Sequence, residues 1–233
     1  MQATHHSNEQ RPVQLMLSGA GGQMGQAILA LAAQSDSFAV VARFDRQQGF
    51  EGQPLGQVII DVSHHSQTPQ VLQFAIAHRL PLVIGTTALT ADTQAKIDQA
   101  AADIAICQAS NFSLGAAVLG QLVQQAAGRL PGFEVAIKDV HHVHKQDAPS
   151  GTALTLQELL VEAGGPQPSV ESIREGEVIG EHAVTFTGPE EQLSLSHVVN
   201  DRRVFARGAL WAAQRLMGQP PGVYPMAKLL QLS

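Results

Sequence analysis

Val13-Gln14-Leu15-Met16-Leu17-Ser18-Gly19-Ala20-Gly21-Gly22-Gln23-Met24-Gly25 opens as a short apolar run and breaks into glycines. An apolar run of this length, stopped by glycine, reads as a buried strand. From Met24 to Ala33 the pattern is helical and rich in alanine. A strand that passes through G-x-G-x-x-x-G into a helix answers a specific physical demand. Gly19 allows the tight turn, Gly21 or Gly22 lets backbone approach a pyrophosphate with no Cβ in the way, and Gly25 lets the helix lie close to the sheet. Free N–H groups and the positive dipole end of the helix then receive the phosphates, Ala20, Gln23 and Met24 completing the turn. A glycine-rich turn with no ligand is the competing reading. The preceding strand, the following helix and the alternating pattern beyond favour a dinucleotide. No G-K-[ST] follows, which excludes the phosphate loop of a nucleoside triphosphatase.

Working outward, Phe38 to Phe44 reads as a second strand and ends at Asp45-Arg46. Asp45 lies 20 residues after Gly25, where an acid holds the two adenine-ribose hydroxyls and favours NAD. Arg46 is suited to a 2′-phosphate and favours NADP, so the pair fits either cofactor; a solvated strand end is the plainer alternative. A third strand covers Val58 to Val62, a helix 67–78, a strand Leu82 to Ile84, a helix 90–102 capped by Thr90, and a strand Ile104 to Cys107. Alternating strands and helices predict a parallel sheet with helices on both faces. Ligands in such sheets sit beyond the carboxyl ends of the strands. Gly85-Thr86-Thr87 and Ala109-Ser110-Asn111-Phe112 occupy two of those ends and are candidates to contact the nicotinamide ribose and carboxamide.

The rhythm changes after Asn111. A helix is expected over 114–128, a strand over Phe133 to Val140 and a helix over 151–163 ending at Gly164-Gly165-Pro166. Strand-like stretches follow at 170–180, 182–187 and 191–199, then a helix at 204–217 and a short turn from Met226 to Leu232. The predicted class is α/β: a Rossmann-like, doubly wound parallel sheet with an inserted α+β substrate domain on a mixed sheet. The boundaries read as a flexible tail at 1–12, a dinucleotide-binding domain at 13–112 plus 203–233, and a substrate-binding and oligomerisation domain at 113–202.

Composition narrows the function classes. Of 233 residues, 44% are hydrophobic and 15% charged, a globular balance. The net charge is −6 and there is no basic block, which argues against nucleic acid. Apolar stretches fall short of a membrane span and the first eleven residues lack an apolar signal core. Cys107 is alone, so no internal disulfide forms. These features predict a cytoplasmic protein with no membrane partner. Trp211, Tyr224 and Cys107 are read as packing residues.

The richest chemistry lies in His141-His142-Val143-His144-Lys145-Gln146-Asp147-Ala148-Pro149-Ser150-Gly151-Thr152-Ala153. Extended geometry would put His142 and His144 on one face and His141 and Lys145 on the other. A histidine exchanges protons near neutral pH, and Lys145 offers a fixed cation and a second proton. Ser150-Gly151-Thr152 reads as a helix start whose N–H groups and hydroxyls seat an anion. Cations, proton donors and an anion seat together suit a small carboxylate substrate. A zinc site is the first competing reading, but the spacing matches no usual ligand pattern, so no metal is expected. A solvated polar loop is the second, and clustered histidines beside a lysine are unusual for one.

That run, with Gly19-Ala20-Gly21-Gly22-x-Met24-Gly25, Gly85-Thr86-Thr87 and Asn111-Phe112-Ser113, resembles the signature of the 4-hydroxy-tetrahydrodipicolinate reductase family, in order along most of the chain. The resemblance implies hydride transfer from NADH or NADPH to 4-hydroxy-tetrahydrodipicolinate, with loss of water, giving tetrahydrodipicolinate in lysine and diaminopimelate biosynthesis. It implies that His141 is the proton donor and acceptor and Lys145 the second donor, and that His142, Gly151 and Thr152 bind the substrate carboxylates. It places cofactor contacts at Gly19 to Met24, Asp45, Arg46, Gly85 to Thr87 and Ala109 to Phe112. It also implies a homotetramer built through the substrate-domain sheets. The chemistry read from the residues agrees, with two domains closing around the substrate to exclude water. One departure stands out. The link at 164–171 is shorter than in many members, where a longer segment takes part in subunit contacts, so the size of the oligomer stays open.

Three other functions are compatible with parts of the chain. Another two-domain NAD(P)-dependent dehydrogenase of a small amino or keto acid, such as aspartate dehydrogenase, would share the glycine turn without needing His141 to Ala153. A non-catalytic NAD(P) sensor would keep the dinucleotide half and lose the His-Lys cluster. A metal hydrolase would leave the glycine turn idle.

Overall fold

The structure is a computed structural model and describes residues 11–44 and 55–231. The expected tail at 1–12 therefore lies almost wholly outside the described residues, as do Asp45 and Arg46. The chain divides into two compact units, one running to Ile106 with Leu216–Gly222, the other Cys107–Arg215 with the segment from Val223.

In the first unit β1 (Val13–Ser18), α1 (Gln23–Ala33), β2 (Phe38–Phe44), β3 (Val58–Asp61), α2 (Thr68–His78), β4 (Leu82–Ile84), α3 (Ala91–Ala100) and β5 (Ala105–Gln108) alternate as expected. With β10 (Gly222–Val223) they make a six-stranded sheet in the order β10-β5-β4-β3-β1-β2. β1 pairs with β2 and β3, and β3 with β4, all parallel. Every residue of β3 and β4 is buried, the signature of a sheet covered on both faces. Met16, Ile59, Leu82, Ile84 and Ile106 pack against Val71, Leu72, Phe74 and Ile97 to make the core. Thr90 caps α3, its side chain accepting from the Thr93 N–H.

The second unit holds α4 (Leu114–Ala127), β6 (Glu134–His141), α5 (Gly151–Glu162), β7 (Ser169–Arg174), β8 (Gly180–Thr187) and β9 (Gln192–Val199). Its sheet runs β7-β6-β8-β9 and is mixed, β6–β7 parallel, β6–β8 and β8–β9 antiparallel. Along β6 the residues alternate, Val135 and Ile137 buried, Glu134, Ala136 and Lys138 exposed. The buried set packs with Val184 and Phe186 against Leu119 and Val123 of α4 and Leu156 and Leu160 of α5.

Several boundaries differ from the sequence reading. The stretch 170–180 is not one strand: β7 stops at Arg174, and Gly176, at φ +48°, carries the chain through a turn before β8. The Glu175 N–H donates to the His141 carbonyl and the Val143 N–H to that of Gly176, so this turn closes over the end of β6. The expected alternation past His141 also fails. β6 ends there, and the Lys145 N–H donates to the His142 carbonyl, closing a turn instead of continuing a strand. α6 (Arg203–Leu216), read as part of the dinucleotide half, falls up to Arg215 in the second unit. Gly208 on this helix packs so closely on the Phe112 carbonyl that any Cβ would collide with it. β10 was not foreseen, and α7 (Met226–Leu229) is the helical form of the expected last turn. Cys107 and Tyr224 are buried, whereas Trp211 is half-buried with Arg215 over its ring at 5.6 Å.

Candidate active site

The glycine turn after β1 has the shape its sequence demands. Gly19 sits at φ +83°, and a Cβ there would lie 2.5 Å from the Val62 carbonyl oxygen. At Gly25 a Cβ would strike the Gly19 carbonyl, so this residue sets how closely α1 approaches the turn. Gly21 is different, because a Cβ there would meet nothing within 4 Å. The N-cap of α1 is Gly22, with no side-chain cap and no acid in the first turn. Leading N–H groups with no side chain over them are what an anionic pyrophosphate requires.

Asp61, at the end of β3, organises the neighbouring strand ends and was not singled out from the sequence. It is buried and accepts from the Ser63 N–H at 3.1 Å, the Ser63 hydroxyl at 2.5 Å and the Thr68 hydroxyl at 2.8 Å. Its carbonyl accepts from the Gly85 N–H at 2.8 Å, and the Thr86 hydroxyl lies 3.4 Å from the Ser63 carbonyl. Gly85 to Thr87 is thereby held beside the loop that Gly19 packs against.

In the second unit the core face of the mixed sheet changes character at one end. Asp139 and His141 continue the inward set of Val135 and Ile137 on β6. Register places Ser172 of β7 and His182 of β8 opposite Asp139, and His197 of β9 opposite His182. The result is a polar row across four strands, Ser172–Asp139–His182–His197. Arg174 is opposite His141 in the next rank. Two helix starts are tied to this row. The Ser150 N–H donates to Asp139 Oδ2 at 2.9 Å, and Ser150 Oγ, the N-cap of α5, lies 3.3 Å from His182 Nε2. At the other end His197 Nε2 lies 3.0 Å from Ser113 Oγ, the N-cap of α4.

Burial and charge set the protonation states. Burial alone would raise the Asp139 carboxyl, but hydrogen bonds from Ser150, with His141 and Arg174, hold it below the usual carboxylate range. Burial pushes His141 down; Asp139 opposes this while Lys145 and Arg174 add to it, and the imidazole ends below its ordinary value. Burial and the neighbouring His141 bring His182 to about 4. His141 Nδ1 is 3.0 Å from Asp139 Oδ1, a charge-pair distance whose angle falls short of a hydrogen bond.

The remaining candidates gather around these helix starts. The Asn111 side-chain amide donates to the Thr152 hydroxyl at 3.0 Å, and its carbonyl oxygen accepts from the Ser113 N–H. The Ala109 to Phe112 loop and the Ser150-Gly151-Thr152 helix start are thus neighbours. A cavity of about 290 Å³ lined by Ser110, Asn111, Gln121, Thr152, Leu156 and Met226 runs beside them; His141 and Lys145 do not line it. Lys145 pairs with Asp147 at 2.8 Å, which draws the Asp147 carboxyl down. His142 is half-buried and its ring lies 6.1 Å from that of the exposed His144.

The sequence reading missed Asp139, Arg174, His182 and His197. The signal for Asp139 was present, because it stands two residues before His141 in a strand and so shares its face. The others required strand register. Asp139, His141 and His182 bring three possible metal-ligand atoms within 4.8 Å of one another. The same carboxylate already faces the Arg174 guanidinium at 3.2 Å, which supplies the positive charge a cation would otherwise bring.

A family model described as "Dihydrodipicolinate reductase, N-terminus" matches residues 13–112, and one described as "Dihydrodipicolinate reductase, C-terminus" matches residues 115–230. A protein of Xanthomonas campestris pv. campestris (strain B100) named 4-hydroxy-tetrahydrodipicolinate reductase is 46% identical, over 94% of this chain and 98% of its own. Among solved structures, a dipicolinate-bound dihydrodipicolinate reductase from Paenisporosarcina sp. TG-14 shares the fold at TM-score 0.80 and 20% identity, covering 95% of this chain and 100% of that one. Aspartate dehydrogenase from Thermotoga maritima shares it more distantly, at TM-score 0.51 and 12% identity over 89% and 98%.

Proposed function

The chain belongs to the dihydrodipicolinate reductase family, and on that premise we propose how its residues share the reduction of 4-hydroxy-tetrahydrodipicolinate by NADH or NADPH. The reaction is an NAD(P)-dependent reduction in lysine and diaminopimelate biosynthesis, with loss of water, giving tetrahydrodipicolinate. When bound, the reduced nicotinamide supplies the hydride.

Gly19 to Gly25 cradle the pyrophosphate, with the leading N–H groups of α1 as donors; the open space at Gly21 and the uncapped helix start fit that anion. Asp45 and Arg46 serve the adenine ribose, and Gly85 to Thr87 with Ala109 to Phe112 the nicotinamide end. The start of α5 receives a substrate carboxylate on the N–H groups of Gly151 and Thr152, with the Ser150 and Thr152 hydroxyls and His142 beside it. Lys145 leaves Asp147 for the second carboxylate or a ring substituent and serves as the second proton donor. His141 exchanges the proton. Its lowered affinity for a proton keeps the ring largely neutral at neutral pH, and an arriving dicarboxylate offsets Lys145 and Arg174, raising that affinity when the proton is needed. The first unit is on this reading the dinucleotide-binding domain and the second the substrate domain. We further propose a homotetramer assembled through the exposed face of the mixed sheet. The small soluble substrate and the single buried thiol support cytoplasmic residence.

The observation that carries this reading is the meeting of His141, the α5 start and the Asn111 loop in one unit. The test is NAD(P)H oxidation with substrate generated in place by the pathway's synthase, for the unaltered chain beside His141→Ala and Lys145→Ala. Rapid oxidation that falls by about 10²-fold or more in each variant is expected for lost proton donors. A folded protein that binds NAD(P)H and oxidises none would instead be a dehydrogenase of another small acid or a cofactor sensor.

A further inference from the structure

His141 ends β6 with its ring nitrogens in unlike surroundings. Nδ1 faces Asp139 Oδ1 at 3.0 Å. Nε2 points toward Gly180, where an added Cβ would sit 3.2 Å from it. The same carboxylate reaches the substrate seat through its other oxygen. Oδ2 accepts from the Ser150 N–H at 2.9 Å and from the Arg174 guanidinium at 3.2 Å, with the Ser172 hydroxyl at 3.5 Å. Arg174 also donates to the carbonyls of Asp139, Ile173 and Asp147, fastening the His141–Asp147 loop to the strands.

We propose that Asp139 is a positioning residue of the reaction, whose single buried carboxylate holds the Nδ1 side of His141 and the Ser150 N–H together, so that proton donor and anion seat keep one spacing. The inference rests on the roles proposed above for His141 and the start of α5.

Three arguments support it. The first is that Asp139 has no exposed surface, and a buried carboxylate is retained only where several donors satisfy it. Here those donors are Ser172 and Arg174 on β7 and the Ser150 N–H at the α5 cap, all on Oδ2, while the rings of His141 on β6 and His182 on β8 face Oδ1 at 3.0 and 3.4 Å. The second is tautomeric. A carboxylate held ionised accepts only, so the neutral ring must carry its hydrogen on Nδ1, leaving Nε2 to exchange the proton. The resting contact is misaligned, and glycine at position 180 leaves Nε2 room for the ring rotation that would align it. The third is charge. His141 faces Asp139 on its own strand, Lys145 and Asp147 on the following loop, Arg174 on β7 and His182 on β8. Asp147 is engaged by Lys145. Without Asp139 the ring would face Lys145 and Arg174 with little to offset them.

The experiment combines ¹⁵N NMR of the imidazole nitrogens with pH profiles of turnover, for the unaltered protein, Asp139→Asn and His141→Ala. In the unaltered protein neutral His141 should be the Nδ1–H tautomer. If protonated His141 is the active form, turnover declines as pH rises through its pKa. In Asp139→Asn both that limb and the His141 titration should move to lower pH by about one unit or more, the size expected when an adjacent opposite charge is removed. The KM for substrate should rise while the affinity for NADH is unchanged. An Nε2–H tautomer in the unaltered protein would overturn the inference even if Asp139→Asn failed to fold. So would a folded Asp139→Asn whose limb and titration stay in place, however much activity it loses. His141→Ala separates the two layers: full turnover there removes the proton-exchange role itself, whereas lost turnover beside an unmoved limb in Asp139→Asn removes only the positioning role.

Discussion

One methyl group separates two jobs that glycine performs after β1. Gly25→Ala drives a Cβ into the Gly19 carbonyl, between backbone segments that cannot yield. Overpacking of this kind costs about 1–3 kcal/mol, so this variant should unfold at lower denaturant and lose NAD(P)H binding together. Gly21→Ala meets nothing within 4 Å and keeps an ordinary backbone conformation. It should unfold with the unaltered chain but bind NADH less tightly, read by fluorescence titration. Unchanged affinity in Gly21→Ala would show that the pyrophosphate does not approach the backbone there. These glycines were legible because their spacing along the chain is the constraint itself. Asp139 was legible only in part. Its parity with His141 is written in the sequence, whereas Ser150, Arg174 and His182 reach it from 11, 35 and 43 positions away.

Among the elements, α5 ties the fold to the proposed chemistry. Ser150 caps it by accepting from the Ala153 N–H at 3.2 Å, while its own N–H serves Asp139. Ser150→Ala removes the hydroxyl alone and should cost about 1 kcal/mol, the usual worth of a cap. Turnover should persist with a raised KM for the dicarboxylate, since the Gly151 and Thr152 N–H groups remain; stability measured by urea unfolding, beside steady-state kinetics, checks both. The helices and most strands of the fold were readable because apolar period and caps are local properties: Thr90, Ser113 and Ser150 all cap the helices that follow them. What was misread has non-local causes. The strand expected over 170–180 breaks at Gly176, whose left-handed φ of +48° turns the chain and leaves its carbonyl to the Val143 N–H beyond the end of β6. β10 is two residues long and exists only as the neighbour of β5. The alternation expected to put His142 and His144 on one face and His141 and Lys145 on the other fails because the strand ends at His141.

For the whole molecule the buried histidine of the row predicts how stability responds to acid. His182 is held neutral, its pKa brought from 6.5 to about 4 by burial first and His141 second. The unfolded chain takes up a proton below its ordinary pKa while the native ring refuses it. Stability from this group is therefore complete above about pH 6.5, falls as pH drops toward 4, and is then spent. One pKa unit is worth about 1.4 kcal/mol, so the loss is on the order of 3 kcal/mol. Urea unfolding across that range should show a shallower pH dependence in His182→Gln; an identical slope would exclude His182 as the cause. The mixed sheet makes a second prediction. Its outward face offers Ala136, Ala183, Thr185 and Ser196, with Val198 52% exposed. On the proposed tetramer, Ala183→Arg should leave the monomer folded and lower the mass seen by light scattering; an unaltered mass would exclude this face as the subunit contact. The row from Ser172 to His197 also bears on how this sequence is free to drift. Each of its members answers to a neighbour on another strand; its two middle members hold the first turn of α5, and its His197 end holds that of α4. A change at one position leaves a buried group stranded at the next, so substitutions here should be inherited as sets, and a single replacement grafted from a distant relative should cost more than the whole set transferred together.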